Sequence, residues 1–401
     1  MKTPLAAAKH ILSQAGGITL CLATLALPLS APAAPRTPSA DAEVLERLPL
    51  RPGDTTAREF LQLRQALAKT PADATVANTL AQAYFDQAMA KGDPRYIGYA
   101  EAVITPFASV MTADLLLVRG QLRQYRHQFD AALDDFASAL RLDPQLAQAH
   151  AWRGAIFLVQ ANYPAAQQSC QALLALERRA LAGACNGLLQ AYTGQLQAAH
   201  SSLQQALTES PAPENQLWLH TRLAEVAQWR GQAAQAEQHF KAALRTGLDD
   251  GYLLAAWSDF LLDQQRPAEV LVLLAAWESS DGLLLRLAEA ETRLKLPAAA
   301  RHVQAIADRF EAARLRGDVT HRAEEARFEL RLRGNLQAAL ALAKANYAVQ
   351  HEPRDARILL EAALAAKDPG AAQAALDWLR SSGFQDPRLL ALSQKLSPKT
   401  P

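Results

Sequence analysis

The sequence predicts an all-α protein in which short helices repeat along the chain. Half of the 401 residues are hydrophobic, yet only 7 are isoleucine and 12 are valine, the best strand formers. Alanine and leucine, which have the highest helix propensity, supply the apolar residues instead. Small residues also recur with a period near 34. These observations favour a helical-repeat solenoid and argue against a sheet-rich enzyme fold.

The net charge and the length limit the class of function. The formal net charge is +1 at pH 7, whereas a nucleic-acid-binding protein needs an excess of lysine and arginine to neutralise phosphates. Nucleic acid is therefore not expected as the main partner. A chain of 401 residues also exceeds what one compact core usually holds, so several domains or a repeat array are expected.

Residues 1–33 have the order of a secretory signal peptide. Lys2 and Lys9 precede an apolar run at 18–29, and an Ala-x-Ala site ends at Ala33. The run is shorter than the roughly 20 residues that span a bilayer, and Pro28 would break such a helix. We expect cleavage after Ala33 and a periplasmic or secreted mature protein without stable membrane insertion.

The repeat becomes visible after residue 113. Its first helix carries a glycine, and an alanine and then a larger residue follow 12 and 16 positions later in the second helix. In four successive units the glycine, alanine and larger residue are Gly120, Ala132 and Phe136, then Gly154, Ala166 and Cys170, then Gly187, Ala199 and Leu203, and finally Ala236 and Phe240 without the glycine.

This spacing has a physical reason. Two antiparallel helices approach closely only where the contact residue is small, and the larger residue then fills the space against the next pair. One pair cannot bury its apolar face alone, so neighbouring pairs must stack into a solenoid. Gly194 and Gly231 follow first helices in the position of a helix C-cap.

The repeat resembles the tetratricopeptide repeat (TPR). The unit that starts at Ala113 carries the residues typical of that family: Gly120, Ala132, Phe136, Ala139 and Pro144. The resemblance covers about residues 57–395, strongly for 113–245 and weakly beyond. It implies a right-handed superhelix of about eight or nine helix pairs, with a concave groove lined by the first helix of each pair.

The predicted organisation has six segments. They are a signal peptide (1–33), a flexible, proline-containing leader (34–56), N-terminal helices with a divergent repeat (57–112), the best-matching repeats (113–250), degenerate helix pairs (251–395) and a tail (396–401). The divergent repeat carries a polar, turn-rich insertion at Met89–Tyr96. This insertion is interpreted as an ordinary turn between helices or as a contact loop.

No motif for catalysis, metal or cofactor binding is found. The nine histidines are scattered, and neither His-Glu-x-x-His nor Cys-x-x-Cys occurs. A nucleophile elbow, a phosphate-binding loop and a dinucleotide fingerprint are also missing. Adjacent carboxylates such as Glu324 and Glu325 point to different helix faces and are interpreted as solvated. The sequence therefore predicts a non-enzyme without cofactor or metal.

Two cysteines remain after signal cleavage. Cys170 falls in the second helix of one unit and Cys185 in the first helix of the next, two helices that should pack together. An exported protein meets an oxidising compartment, which favours a disulfide between them. Two buried free thiols are the alternative, because a small apolar cysteine suits this helix contact.

The family resemblance implies where a partner would bind. Groove positions correspond to aromatic residues in four units: Tyr125, Tyr192, Trp218, Trp229 and Tyr252. Tyrosine and tryptophan offer large contact areas at low entropic cost. A register shift of one or two residues would instead place several of them in the core between repeats. The lysine, asparagine and arginine clamp with which some TPR domains hold a terminal carboxylate is absent at the corresponding positions.

Three classes of function follow in order of preference. The first is a non-enzymatic adaptor that holds a protein or peptide, such as an envelope component, in its groove. The second is a structural assembly factor that oligomerises through the apolar repeats of 251–395. The third is an enzyme with a divergent C-terminal domain.

Overall fold

The computed structural model describes Ala40 and residues 53–396. The predicted signal peptide, most of the leader and nearly all of the tail lie outside the described residues. The described part of the chain contains helices and turns but no strand. None of its helices has the length and apolar character needed to span a membrane.

The first eleven helices cover the N-terminal and best-matching repeats. They are α1 (Thr55–Lys69), α2 (Ala74–Lys91), α3 (Arg95–Ile104), α4 (Ala113–Tyr125), α5 (Phe129–Leu142), α6 (Ala147–Val159), α7 (Tyr163–Ala175), α8 (Arg179–Tyr192), α9 (Leu196–Thr208), α10 (Pro213–Trp229) and α11 (Ala233–Leu244).

Nine more helices complete the described chain. They are α12 (Gly251–Asp263), α13 (Pro267–Leu274), α14 (Asp281–Arg293), α15 (Ala298–Leu315), α16 (Arg322–Phe328), α17 (Leu336–Tyr347), α18 (Pro353–Ala365), α19 (Gln373–Ser382) and α20 (Pro387–Leu396). Consecutive helices pack in pairs from α2 and α3 to α18 and α19, so the described residues form nine pairs. The predicted all-α helical-repeat solenoid is confirmed.

The small residues of the first helices allow close packing, as the spacing predicts. A Cβ atom added to Gly120 would lie 2.4 Å from Cε1 of Phe136, and one added to Gly187 would lie 2.6 Å from Cγ of Leu203. Phe136 therefore packs against its own pair, and it also shares an apolar cluster with Ala149 of the next pair. The larger residue thus closes one pair and joins it to its neighbour.

The turns within pairs need a left-handed backbone. Gly194 and Gly231 have φ angles of +78° and +72°, which glycine adopts without a steric cost. Other pairs place His127 or Ala161 in the same conformation, at φ +56° and +55°. Glycine at this turn is therefore not a fixed requirement of the repeat, and its recurrence in sequence is incomplete for that reason.

The insertion at Met89–Tyr96 is shorter in structure than its sequence suggests. Helix α2 continues to Lys91, and α3 begins at Arg95, so only Gly92, Asp93 and Pro94 connect the two helices. Gly92 has a φ of +62°. The Nζ atom of Lys91 pairs with the carboxylate of Asp249, so this turn contacts the start of the sixth helix pair.

The superhelix closes on itself. The amide of His351 donates a hydrogen bond to the carbonyl of Val159 at 2.7 Å, and Nε1 of Trp378 donates to Oη of Tyr163, also at 2.7 Å. Residues near the end of the chain thereby contact the end of α6 and the start of α7, the two helices of one of the best-matching pairs. The turn between these two helices is consequently covered in part by the chain itself.

Candidate binding cavity in the concave groove

Three of the five predicted partner-binding residues meet at one cavity. Tyr192 ends α8, Trp229 ends α10 and Tyr252 opens α12, and all three line a cavity of about 100 Å³ that we call the groove cavity. Stacking brings them together because α10, which carries Trp229, packs against both α8 and α12. Gln228 and Glu225 of α10 add polar groups to the same wall.

Two of these rings are held by the chain's own C-terminal segment. Tyr192 and Trp229 are buried, and their ring centres lie 6.0 Å apart. Phe384, between α19 and α20, places its ring 5.1 Å from Trp229 and 6.2 Å from Tyr192. Only part of each ring borders the cavity, so the inter-repeat packing that the sequence left open as an alternative is present as well.

Tyr252 belongs to a polar cluster with two residues of α10. Nη1 of Arg222 donates a hydrogen bond to Oη of Tyr252 at 2.6 Å, and that hydroxyl donates to Oε1 of Glu225 at 2.6 Å. The guanidinium of Arg222 also lies 4.2 Å from the ring centre. Burial raises the pKa of Tyr252 above its usual value, and the Glu225 carboxylate acts in the same direction. The phenol therefore keeps its proton.

The other two predicted residues lie apart from the cavity wall. Trp218 is 36% exposed, and the guanidinium of Arg222 lies 5.3 Å from its ring, so it flanks the polar cluster of Tyr252. Tyr125, at the end of α4, is partly buried among the N-terminal helices. Burial, with smaller effects of Asp318 and Glu324, raises the pKa of Tyr125 to about 12.

The opposite wall of the groove cavity comes from the weak repeats. Arg354 and Arg357 of α18, Arg286 of α14 and Arg388 of α20 line it. The side chain of Arg354 is 54% exposed, although both Nε and Nη2 donate to Oε2 of Glu352, at 2.9 and 2.6 Å. Its guanidinium lies 5.4 Å from the Tyr252 ring centre, so the two walls touch here.

Two carboxylates of α12 are each held by two arginines. Asp259 accepts from Nε and Nη2 of Arg286, at 2.9 and 2.8 Å, and from Nη1 of Arg327 at 2.6 Å. Burial alone would raise the pKa of Asp259, but the two guanidinium groups outweigh it and hold that pKa below its usual range. Asp259 therefore stays ionised.

Asp263 is held in the same way, one turn further along α12. It accepts hydrogen bonds from Nη1 and Nη2 of Arg357 and from Nη1 of Arg388, all at 2.7 Å. Burial would raise the pKa of Asp263, yet the arginines lower it overall. These contacts tie α12 to α18 and α20, helices about 90 residues or more further along the chain.

A second cavity adjoins the first. This arginine cavity has a volume of about 80 Å³ and shares Asp259, Arg286, Arg354 and Arg357 with the groove cavity. The further residues that line it are Asp263, Ala323, Glu324, Arg327, Arg331 and Ile358. Five arginines therefore face three carboxylates.

Sequence reasoning missed this arginine-rich wall. Arg354 and Arg357 are three residues apart, and Arg327 and Arg331 are four apart, so each pair lies on one helix face. This spacing could have indicated that the arginines of each pair share one helix face. Glu352 and Glu361 lie within four residues of Arg354 and Arg357, but the other carboxylate contacts of these four arginines span 30 to 94 residues. Nothing in the spacing identifies those distant partners.

The two cysteines lie at the predicted helix contact. Their sulfur atoms are 1.98 Å apart and their Cα atoms 5.5 Å apart, which joins the second helix of one pair (α7) to the first helix of the next (α8). Cys170 is fully buried.

Helix packing also brings together histidines that are scattered in sequence. Nδ1 of His220 lies 3.0 Å from Nδ1 of His239, and the ring of His200 is centred 6.4 Å from that of His239. Burial, with its two histidine neighbours, lowers the pKa of His239 to about 4. Among the described residues, no group of three or more histidine, cysteine or acidic side chains is arranged to hold a metal ion.

Known proteins resemble this chain in fold alone. No model of a known protein family matches the sequence, and no curated protein does. The structure is similar to that of the APC/C hetero-tetramer Cut9–Hcn1, with a TM-score of 0.51 and 14% identity over 85% of this chain and 67% of that chain.

A TPR protein from Parabacteroides merdae is also similar, with a TM-score of 0.42 and 17% identity over 59% of this chain and 86% of that chain.

Proposed function

We propose that this chain is a non-enzymatic scaffold, acting in the periplasm or outside the cell, that binds a protein or peptide partner at the groove cavity. The partner we propose is an envelope component. One observation carries the proposal: three aromatic residues from consecutive helix pairs border a single cavity. The secretory pattern of residues 1–33 supports the location.

The chemistry of the cavity suits a peptide segment. Tyr192, Trp229 and Tyr252 offer aromatic surface, and Gln228 supplies amide groups that can pair with a peptide backbone. Trp218, partly exposed beside Arg222, extends this surface towards solvent. Residues of this kind account for much of the affinity in protein interfaces because they bury large areas at low entropic cost.

Asp259, a carboxylate of the groove cavity, is poorly suited to acid–base chemistry. A general acid or base works best with a pKa near the operating pH. The two arginines that hold Asp259 keep its pKa below the usual range, and its oxygens already accept three hydrogen bonds. This supports a binding role for the groove cavity.

An oxidised cysteine pair is part of the proposal. Export would place Cys170 and Cys185 in a compartment where disulfides persist, and the two sulfur atoms lie at bonding distance. The bond would fasten α7 to α8, the helix whose last residue, Tyr192, borders the groove cavity. We propose a structural role for it.

The test is capture of a partner from an envelope extract with the mature protein, starting at Ala34. The variant is Trp218→Ala/Gln228→Ala, because neither side chain is fully buried, whereas Trp229 packs on Phe384 and its removal would unfold the site. The matched control is Leu174→Ala/Val272→Ala, two exposed apolar residues on second helices. A photo-crosslinker at Gln228 identifies the captured segment.

We expect the control to retain the partner and the groove variant to lose at least tenfold in affinity. A partner that both variants retain equally would place binding on another face of the solenoid. Capture of nothing specific by the wild-type protein would contradict the adaptor function itself.

A further inference from the structure

We propose that the arginine cavity binds a small oxyanion, a free phosphate or a small carboxylate, as a second ligand of this protein. The inference goes beyond the scaffold function, because it concerns a small molecule rather than a protein partner. It rests on the free hydrogen-bond donors that line the cavity, on how they are positioned and on the size of the cavity.

The unused hydrogen-bonding capacity of the cavity is mainly donor capacity. Arg354 uses Nε and Nη2 on one oxygen of Glu352, and its Nη1 amino group has no hydrogen-bond partner among the described residues. Arg331 donates through Nη1 to Glu289 at 3.4 Å and through Nη2 to Glu361 at 2.6 Å, and its Nε donates to no described residue.

The acceptors, by contrast, are largely occupied. Both oxygens of Asp259 accept from Arg286, and Arg327 adds a third bond. Both oxygens of Asp263 accept from Arg357. A ligand that enters this cavity therefore meets the free N–H groups of Arg354 and Arg331, and Glu324 is the one lining carboxylate that accepts no side-chain hydrogen bond from a described residue. Guanidinium forks of this kind match phosphate and carboxylate groups.

The size of the cavity agrees with this chemistry, whereas the charge of the wider cluster is close to balanced. Five arginines and three carboxylates line the cavity. Glu289, Glu352 and Glu361, outside the lining, offset that excess of cations because they pair with Arg327, Arg354 and Arg357. Among the described residues, Asp259 and Asp263 make ion pairs, whereas Glu324 is the one lining carboxylate that makes none. It opposes the anion, so it limits affinity. The volume of about 80 Å³ holds roughly five waters, room for one small oxyanion and residual solvent.

The arginines are positioned before any ligand arrives. Arg286 has a side chain only 7% exposed, and Asp259, Ala255 and Gly282 all accept hydrogen bonds from it. A binding group whose neighbours already fix it loses little conformational entropy when a ligand arrives. The ion pairs therefore serve as supports for the free donors of Arg354 and Arg331.

The experiment is titration of the mature full-length protein with inorganic phosphate and, separately, with succinate, by calorimetry at constant ionic strength. We expect saturable binding of at least one of them, and the two titrations distinguish a phosphate ligand from a carboxylate ligand. Arg354→Gln should weaken binding at least about tenfold, because it removes the exposed guanidinium. Arg354→Lys keeps the charge without the fork and should weaken it by less.

Two more variants make the test specific. Glu324→Gln should strengthen binding about threefold or more by removing the opposing charge. Arg380→Gln, at an exposed arginine of α19 outside the cavity, should leave binding unchanged. Circular dichroism and the urea midpoint of each variant show that it is folded.

Two results would overturn the inference: no saturable binding of either anion, or equal binding by wild type and Arg354→Gln. Neither result would affect the scaffold proposal, which is tested at Trp218 and Gln228. Conversely, loss of a protein partner in the Trp218→Ala/Gln228→Ala variant would say nothing about anion binding, so failures of the two proposals are distinguishable.

Discussion

Residues 113–245 and residues 251–396 build the same helix-pair architecture with different chemistry. In the first region, small residues sit beneath large apolar ones, as Gly120 does beneath Phe136 and Gly187 beneath Leu203. In the second region, arginines join carboxylates on separate helices, as Arg286 and Arg327 do at Asp259. Stacked helices can therefore be held through steric fit or through ion pairs.

The difference explains why only one region shows a repeat in sequence. A close steric contact within a helix pair demands a small residue at a fixed spacing, so it leaves a period of about 34 residues. The ion pairs of the second region join residues 27, 68, 94 and 125 positions apart. Such spacings leave no period, although the helices they join stack in a similar way.

The first prediction, which has the largest expected effect, concerns the ion pairs of the second region. Arg327→Met leaves the carboxylate of Glu289, only 2% exposed, without its main partner. Removing one member of a buried pair typically costs about 3–5 kcal/mol. We expect about 3 kcal/mol, the lower end, because Arg331 still reaches Glu289. Urea unfolding measures the loss in free energy of unfolding.

The control for that variant is the double replacement Arg327→Met/Glu289→Leu, which removes both charges. It should recover most of the lost stability, since an apolar pair of similar volume often replaces a buried ion pair without loss. If the single and double variants are equally unstable, the arginine contributes through its packing rather than through its charge.

The second prediction concerns the cysteine pair of the first region. A bond between Cys170 and Cys185 closes a loop with a sequence separation of 15. The chain-entropy model assigns such a loop about 3 kcal/mol, so reduction should lower the stability of the mature protein by about that amount. Urea unfolding with and without a phosphine reductant measures it.

The variant Cys170→Ala/Cys185→Ala should be insensitive to the reductant. Alkylation of the unreduced, unfolded wild-type protein followed by mass spectrometry counts the free thiols. Two free thiols in protein isolated without reductant would show that the pair is not bonded.

The third prediction tests steric fit. Gly120→Ala places a Cβ atom 2.4 Å from the ring of Phe136, so the ring must move. Overpacking of this kind costs about 1–3 kcal/mol, more than the helix propensity gained from alanine. The matched control is Gly98→Ala in α3, where no atom lies within 4 Å of the added Cβ. It should stabilise the protein by about 0.5–1 kcal/mol.

The fourth prediction concerns the response of the first region to acid. Burial and the histidine neighbours lower the pKa of His239 to about 4 in the folded state, below the ordinary value near 6.5. Between these two pH values the unfolded chain binds more protons, so stability falls as the pH falls from 6.5 to 4. His239→Asn should reduce that loss. Its urea midpoints at pH 7 and pH 4.5, compared with wild type, measure the effect.

The second region contains a group with the opposite response. Burial, reinforced by Glu352, raises the pKa of Asp355 to about 8, so the folded state holds a proton that the unfolded state has released. Stability then falls as the pH rises from about 4 to about 8. Asp355→Asn should flatten this dependence. An unchanged profile would mean that Asp355 is ionised in the folded protein.

The fold could be predicted from the sequence because packing in the first region depends on the spacing of residues that are close together in the chain. Gly120, Ala132 and Phe136 predict a helix pair, and the structure forms it. The same reasoning located Tyr192, Trp229 and Tyr252 on successive first helices, and the structure places all three on one cavity. These inferences needed contacts between neighbouring pairs only.

The rest of the candidate site depends on contacts between residues far apart in the sequence, and no local spacing encodes such contacts. Phe384 packs on Trp229, and its position relative to the groove follows from how far each pair rotates on the previous one. Small differences in that rotation add up over several pairs, and the sequence does not state them. For the same reason the arginines of α18 could be assigned to one helix face but not to the carboxylates of α12.

The contact between His351 and Val159 limits the number of helix pairs that related chains can contain. In an open solenoid each unit contacts only its neighbours, so a unit can be duplicated or deleted with little effect elsewhere. Here a unit inserted between α7 and α17 would displace Val159 from His351 and Tyr163 from Trp378. The number of helix pairs is thereby fixed by geometry, and we expect related chains to vary at loops and termini rather than in repeat number.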